Sequence, residues 1–264
     1  MRLGLSSAAF YGRREVEDTA ALLPGYGLDV CEVFLNSFSE YSTDFGGLVR
    51  ERLNGLPCVS VHPKGTQFEP DIFSPSPRQR QDALDFFRRV CDAGQALGAS
   101  YYVFHSVGMI RGRKHPGELY HMVENLHAMQ EIAHPRGMEV LWENVSWCAM
   151  ETVEDVRQVR ELLPEQGFVL DLKQAYQVGV TSAEMIAAMG PRLKHLHVLD
   201  WNAAGELVLP GEGVNDFAAL FRLLKKTGYQ GAVILEPYAA QARDDARLRA
   251  SLSYLRQAMR EAGV

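Results

Sequence analysis

Four side chains whose types and order could do chemistry stand at the ends of short apolar runs. They are Glu143 in GMEVLWENVSW, Asp171 in GFVLDLKQ, His197 in LKHLHVLD and Glu236 in GAVILEP. One carboxylate at the end of a strand means little. Four ligating groups, each closing a successive run in the second half of the chain, imply a common mouth where strands converge. Three carboxylates and one imidazole form an oxygen-rich, hard donor set. It suits one divalent ion, Mn²⁺ or Mg²⁺ first, with Co²⁺ and Zn²⁺ also accommodated. Without a thiolate it is not a structural zinc site. An ion there can polarise a carbonyl and the adjacent hydroxyl. Glu143 and Glu236 can then flank a substrate, one removing a proton next to the carbonyl and the other returning it. That is the requirement of an epimerase or an aldose–ketose isomerase.

The elements that would position these groups follow from hydrophobic patterning. Eight strand-like runs can be marked: LGLSSA, LDVCEVFL, PCVSVHP, ASYYVFHS, MEVLWEN, GFVLDL, LKHLHVLD and GAVILE. Segments of helical character separate them. In RQRQDALDFFRRVCDAGQAL, Leu84, Phe87, Val90 and Leu97 recur near helical spacing. Thr152 and Thr181 fit helix N-caps, while Gly190 and Gly228 fit C-terminal stops. Strand and helix alternate eight times with no linker or low-complexity segment. The pattern predicts an α/β fold, a single (β/α)₈ barrel filling one domain over residues 1–264. The competing architecture, an open doubly wound sheet for a dinucleotide, wants a glycine fingerprint after the first strand. SSAAFYGRRE has none.

Alternation along each strand sorts its side chains into two faces. Val140 and Trp142 oppose Glu139, Leu141 and Glu143. Leu170 and Leu172 oppose Val169, Asp171 and Lys173. Leu196 and Val198 oppose His195 and His197, and Val233 and Leu235 oppose Ile234 and Glu236. Val59 and Val61 oppose Ser60 and His62; Tyr102 and Phe104 oppose Val103 and His105. The continuously apolar face should pack on helices and the ionisable face should point into the barrel. Its last polar residues would then line the C-terminal mouth. His195 and Glu139 lie deeper and read as satisfied core groups; Glu32 reads as a buried partner or a support for the ligands. Lys173 shares the parity of Asp171, so it can reach a hydroxyl, an enolate or a phosphate, or else extend to solvent.

Composition sets the outer bounds. The chain has 264 residues, 47% hydrophobic and 23% charged, enough for a large core. No run has the length of a membrane span, and MRLGLSSAAFYG reads as a first strand rather than a signal peptide. The formal net charge of −6 argues against a general nucleic-acid binder. Cys31, Cys58, Cys91 and Cys148 form no CxxC pair and read as reduced, mostly buried thiols of a cytoplasmic protein. The expected partner is a small sugar or polyol, with a homo-oligomer compatible.

The motifs HPKG, VFHS, WEN, LDLKQA, HLHVLD, LPGEG and ILEPY, in this order, resemble the xylose isomerase-like superfamily of sugar phosphate isomerases and epimerases. The resemblance runs from the first strand to the eighth. It implies that Glu143, Asp171, His197 and Glu236 hold one divalent ion, and that the two glutamates form the acid–base pair of the ketose 3-epimerases. It also implies that His62 and His105 contact substrate or further metals. Two departures matter. Many members carry a His that touches substrate oxygens where this chain has Gln174. The superfamily's apurinic endonucleases bind three zinc ions and need an Asp-x-His before GEG; here GELVLPGEG places Gly205 and Leu207 there. A trinuclear zinc nuclease is therefore disfavoured.

Mouth loops add further candidates. KGTQFEPDIFSPSP, after the third strand, can serve as a lid or as a plain connection. Arg111, Arg113 and Lys114, after the fourth, can bind a substrate phosphate. Trp147, Trp201 and Tyr238 follow the ligands, and Trp201 in particular can bind substrate by covering the C–H face of a sugar. The alternatives to an isomerase or epimerase are a lyase on the same scaffold (a cyclitol dehydratase or a C-glycoside-cleaving subunit), a nuclease on abasic DNA, and a metal-holding barrel that only binds.

Overall fold

The computed structural model describes residues 1–108 and 118–264. Its strands are β1 (Arg2–Ser6), β2 (Val30–Leu35), β3 (Cys58–Pro63), β4 (Tyr101–Phe104), β5 (Glu139–Glu143), β6 (Gly167–Asp171), β7 (Leu193–Val198), β8 (Asp200–Trp201), β9 (Leu207–Val208) and β10 (Ala232–Leu235). Eight of them close a barrel in the order β1-β10-β7-β6-β5-β4-β3-β2. Every neighbouring pair in it is parallel. β8 and β9 form a separate antiparallel hairpin after β7. The helices are α1 (Val16–Leu22), α2 (Thr43–Arg52), α3 (Glu69–Ile72), α4 (Pro77–Leu97), α5 (Glu118–Ala133), α6 (Val153–Leu162), α7 (Leu172–Gln177), α8 (Ser182–Met189), α9 (Phe217–Lys226) and α10 (Asp245–Ala262). This is the (β/α)₈ barrel that the alternating sequence predicts, with the eight strands in the expected order.

The two faces separate as their polarity requires. Val140, Trp142, Phe168, Leu170, Leu196, Val198, Val233 and Leu235 join the large core shared with the helices. Val103, Leu141 and Val169 form a small cluster of their own. Val30, Val59, Ala232 and Ile234 form another. Val59 departs from strict alternation. Cys31 pairs with Cys58, but Glu32 pairs with Ser60, so one residue of β3 is skipped. Val59 therefore packs with the small cluster, while Val61 stays in the large core.

Helix ends are set locally. The Thr152 and Thr181 side chains accept from the backbone N–H groups of Asp155 and Glu184, and each closes a capping box. Two stretches differ from expectation. The sixth run does not stay extended to Leu172: Asp171 caps α7, its Oδ1 accepting the Gln174 N–H at 3.1 Å. Lys173 and Gln174 thus belong to a helix, and strand parity does not govern where they point. The loop after β3 is not an open flap. It forms α3, buries Phe68 and Ile72, and is tied down by the Tyr102 hydroxyl donating to Glu69 Oε1 at 2.8 Å. All four cysteines are free and buried. Among the described residues no helix is long and apolar enough to cross a membrane.

Candidate active site

Glu143 ends β5, Asp171 ends β6, His197 lies in the last turn of the pleat of β7, and Glu236 follows β10 directly. Parallel register carries the four to one end of the barrel: Asp171 pairs with His197, and His197 with Ile234. One ligand atom from each lies within 4.8 Å of the others. Oxygens opposite one another around a Mg²⁺-sized ion are separated by about 4.2 Å, so small side-chain rotations bring the set to coordination distance.

Charge and hydrogen bonding fit a cation. His197 Nδ1 stands 3.1 Å from Glu143 Oε1 and 3.4 Å from Glu236 Oε2. Its Nε2 lies 3.0 Å from Glu32 Oε2, which also receives the Ser60 hydroxyl at 2.8 Å and faces His195 Nε2 at 3.1 Å. A buried carboxylate holding Nε2–H presents Nδ1 as the free ligand, the arrangement that supports metal-bound imidazoles. Glu143 Oε2 is buried without a hydrogen bond. His105 Nε2 approaches it to 2.8 Å, but the ring N–H does not point along that line. Glu32 is the residue the sequence left ambiguous. Its place on β2 at inward parity was the available signal; its three partners come from β3 and β7 and are legible only in the fold.

Burial works to raise the carboxyl of Glu143, but the His105 and His197 rings overcome it and hold the group well below its usual range. Glu236 is likewise lowered, by His197 and Lys173 against burial. Glu32 is held low by His197 and His195 against the same penalty. Asp171 goes the other way: burial, with the Glu143 and Glu236 charges adding and Lys173 opposing, pushes it up to about 7. Burial would lower His62, yet the Glu143 carboxylate, whose Oε2 lies 3.6 Å from His62 Nε2, and the charges of Glu32 and Glu236 carry it up to about 9. Three carboxylates crowded in a largely buried site call for positive charge, which a divalent ion could supply.

One cation of the chain already stands among them. Lys173 does not extend to solvent. Its ammonium donates to Asp171 Oδ2 and, at 2.6 Å, to Glu236 Oε2. Burial disfavours the charge, but Asp171 and Glu236 hold its pKa well above the usual lysine value.

Beside the four lies a cavity of about 340 Å³, lined by Ala8, Tyr11, Phe34, His62, Lys64, His105, Glu143, Trp147, Lys173, Gln174, Glu236, Pro237, Tyr238 and Ala239. His62, His105, Lys173 and Gln174 thus all reach it. Gln174 Oε1 accepts the Ser146 N–H at 3.0 Å, which leaves its NH₂ as the free group. Trp201 does not reach the cavity. It stacks on Tyr176 at 4.0 Å and lines a larger groove of about 580 Å³ beside α7, α8 and α9. Among the described residues, Asp216, the N-cap of α9, is the only carboxylate lining that groove, and no imidazole lines it. The ionisable groups His62, His105, Glu143, Lys173 and Glu236 line the smaller cavity instead. Arg111, Arg113 and Lys114 lie outside the described residues.

Sequence and structure comparisons agree with this architecture. A D-psicose 3-epimerase of Enterocloster bolteae is 24% identical over 232 residues, covering 81% of this chain and 74% of that protein. An inosose dehydratase of Yersinia enterocolitica is 26% identical over 141 residues, 45% of this chain and 47% of that protein. Another, of Klebsiella pneumoniae, is 24% identical over 60% of this chain and 64% of its own length, so the match spans less than two thirds of either dehydratase. Among solved structures, a D-psicose 3-epimerase studied with D-fructose superposes with a TM-score of 0.81 at 16% identity, over 98% of this chain and 99% of that one. The IOLI protein with a bound zinc atom gives a TM-score of 0.77 at 17% identity, over 99% and 98%. The family described as Xylose isomerase-like TIM barrel matches residues 20–258, and this chain belongs to it.

Proposed function

We propose that this protein is a divalent-metal-dependent sugar isomerase or epimerase that moves a proton on the carbon next to a carbonyl of a keto sugar or sugar phosphate. The observation that carries the reading is the convergence of Glu143, Asp171, His197 and Glu236 at one end of the barrel, against a cavity of small-molecule size. An ion held by those four residues supplies Lewis acidity to a carbonyl and its neighbouring hydroxyl.

The remaining chemistry belongs to side chains. Glu143 and Glu236, both held ionised, are the groups able to accept a C–H proton. They leave β5 and β10, three steps apart around the ring (β5-β6-β7-β10), and so approach a bound molecule from different sides. That arrangement suits removal of a proton on one face and return on the other. His62 lines the cavity with its Nε2 3.6 Å from Glu143 Oε2 and 3.9 Å from Glu236 Oε1, where it can hydrogen-bond the oxygen on which negative charge develops. The Gln174 NH₂ is a second donor. Tyr11, Phe34, Trp147 and Tyr238 line the cavity with ring faces that can meet the C–H surface of a sugar.

A specific observation favours a second reading. Several of the sequence relatives are named inosose dehydratases, and a dehydration begins with the same proton removal before hydroxide leaves the next carbon. Incubating the metal-loaded protein with D-psicose, D-tagatose, D-fructose and inosose separates the two. A product of unchanged mass and inverted or shifted configuration supports the isomerase; loss of one water supports the dehydratase. A metal-loaded protein that alters none of them contradicts both readings for these substrates.

A further inference from the structure

The most unusual feature of the site is Lys173, and its position bears on the ion itself. Only 3% of the residue is exposed. Its ammonium bonds Asp171 Oδ2 and sits 2.6 Å from Glu236 Oε2. Both carboxylates belong to the four-residue ligand set. The other Asp171 oxygen, Oδ1, is committed to capping α7 through the Gln174 N–H at 3.1 Å. Oδ2 is therefore the oxygen Asp171 has to offer a cation, and Lys173 holds it.

We propose that Lys173 and the divalent ion are alternative occupants of the Asp171–Glu236 carboxylate pair, so that Lys173 sets how tightly this site binds metal. The proposal rests on the metal reading given above. An ion bonded to both oxygens at about 2.1 Å would lie within roughly 5 Å of an ammonium that kept its present bonds. Two positive charges so close in a dry site repel strongly, and one oxygen pair cannot serve both at their preferred distances. The lysine has a way out that leaves the backbone in place. Its stem is flexible, its side chain lines the adjoining cavity, and its ammonium already lies 5.6 Å from the Tyr238 ring centroid. A cation over that ring is attracted to its face. Metal entry would move the ammonium from the carboxylates towards Tyr238, into the space where substrate oxygens arrive. Before metal binds, the same ammonium neutralises part of the carboxylate cluster and keeps the apo barrel folded.

The test is Mn²⁺ binding to the metal-free full chain by calorimetry, with electron paramagnetic resonance of free Mn²⁺ as a second reading. Wild type, Lys173→Met, Lys173→Gln and Lys173→Arg are compared. Removing the ammonium is expected to tighten Mn²⁺ binding about tenfold or more, the scale of changes next to metal ligands; Lys173→Arg keeps a cation and stays at or above the wild-type Kd. Melting without metal should fall in Lys173→Met and Lys173→Gln and recover when Mn²⁺ is added. Unchanged or weaker Mn²⁺ binding in the two neutral variants, with wild type binding normally, overturns the competition and leaves the metal reading standing. Failure of wild type and the folded neutral variants alike to bind Mn²⁺ or Zn²⁺ overturns both.

Discussion

At the scale of single residues, Glu32 is a fully buried carboxylate set behind the His197 ring. One of its oxygens faces Ser60, His195 and His197, while the other has no partner. Glu32→Gln keeps an acceptor oxygen but removes the negative charge that holds the His195 and His197 N–H groups and orients His197. Mn²⁺ affinity is expected to fall about 10- to 100-fold with the fold retained, measured by titration calorimetry alongside circular dichroism. An unchanged Kd would show that His197 needs no such support. The convergence of Glu143, Asp171, His197 and Glu236 was legible from residue type and strand-end position. The supports were not, because Ser60, Glu32 and His195 meet only when distant strands close into a ring. Trp201 misled for a related reason: it follows a ligand strand in sequence, but the β8–β9 hairpin carries it outwards onto Tyr176.

Among the elements, α2 places two glycines side by side for one structural reason. A Cβ on Gly46 would collide with the carbonyl oxygen of Ala93, so α2 can approach α4 this closely only with glycine there. A Cβ on Gly47 would meet nothing within 4 Å. Gly46→Ala should destabilise by about 1–3 kcal/mol through overpacking. Gly47→Ala should stabilise by roughly 0.5–1 kcal/mol through helix propensity. Urea unfolding of both variants reads the difference, and equal effects would contradict the packing account. Periodicity alone shows an amphipathic helix in this region but not which glycine faces a neighbour. The same limit hid α7. LDLKQA continues an apolar strand in pattern, and the helix begins where it does because Asp171 turns to cap it. That turn takes Lys173 out of strand parity and brings its ammonium onto Asp171 and Glu236.

For the whole molecule, the eightfold alternation was fully legible, since eight apolar runs with polar ends admit few closed arrangements. The collective charge of the mouth was not, and it makes stability depend on pH. Without metal, the folded value of His62 is up to about 9 against an ordinary 6.5, so its stabilisation is complete below 6.5 and lost as pH rises to 9. Asp171, raised from 3.8 to about 7, contributes in the same sense over that lower interval. Glu32, Glu143 and Glu236 are held low, and their contributions are lost only as pH falls through the acidic range. His195, lowered by burial, matters only below its ordinary value. Between pH 6.5 and 9 the signs agree. The EDTA-treated protein should lose stability across that interval, by about 3 kcal/mol from His62 alone if its shift is fully expressed. Saturating Mn²⁺ should flatten the decline, because the ion replaces the protons that neutralise the carboxylates. Differential scanning calorimetry with and without EDTA checks this, and a metal-free melting temperature that rises over the same interval would contradict it.

The central claim is proton transfer next to a carbonyl by a pair of glutamates from β5 and β10. It is tested most directly by proton NMR of a panel of keto sugars in D₂O with the metal-loaded protein. The account predicts that at least one sugar loses the signal of a C–H beside its carbonyl as deuterium enters, and that Glu236→Gln, with metal bound and the fold intact, lowers that rate by at least about 10²-fold. Exchange at the wild-type rate in Glu236→Gln would contradict it.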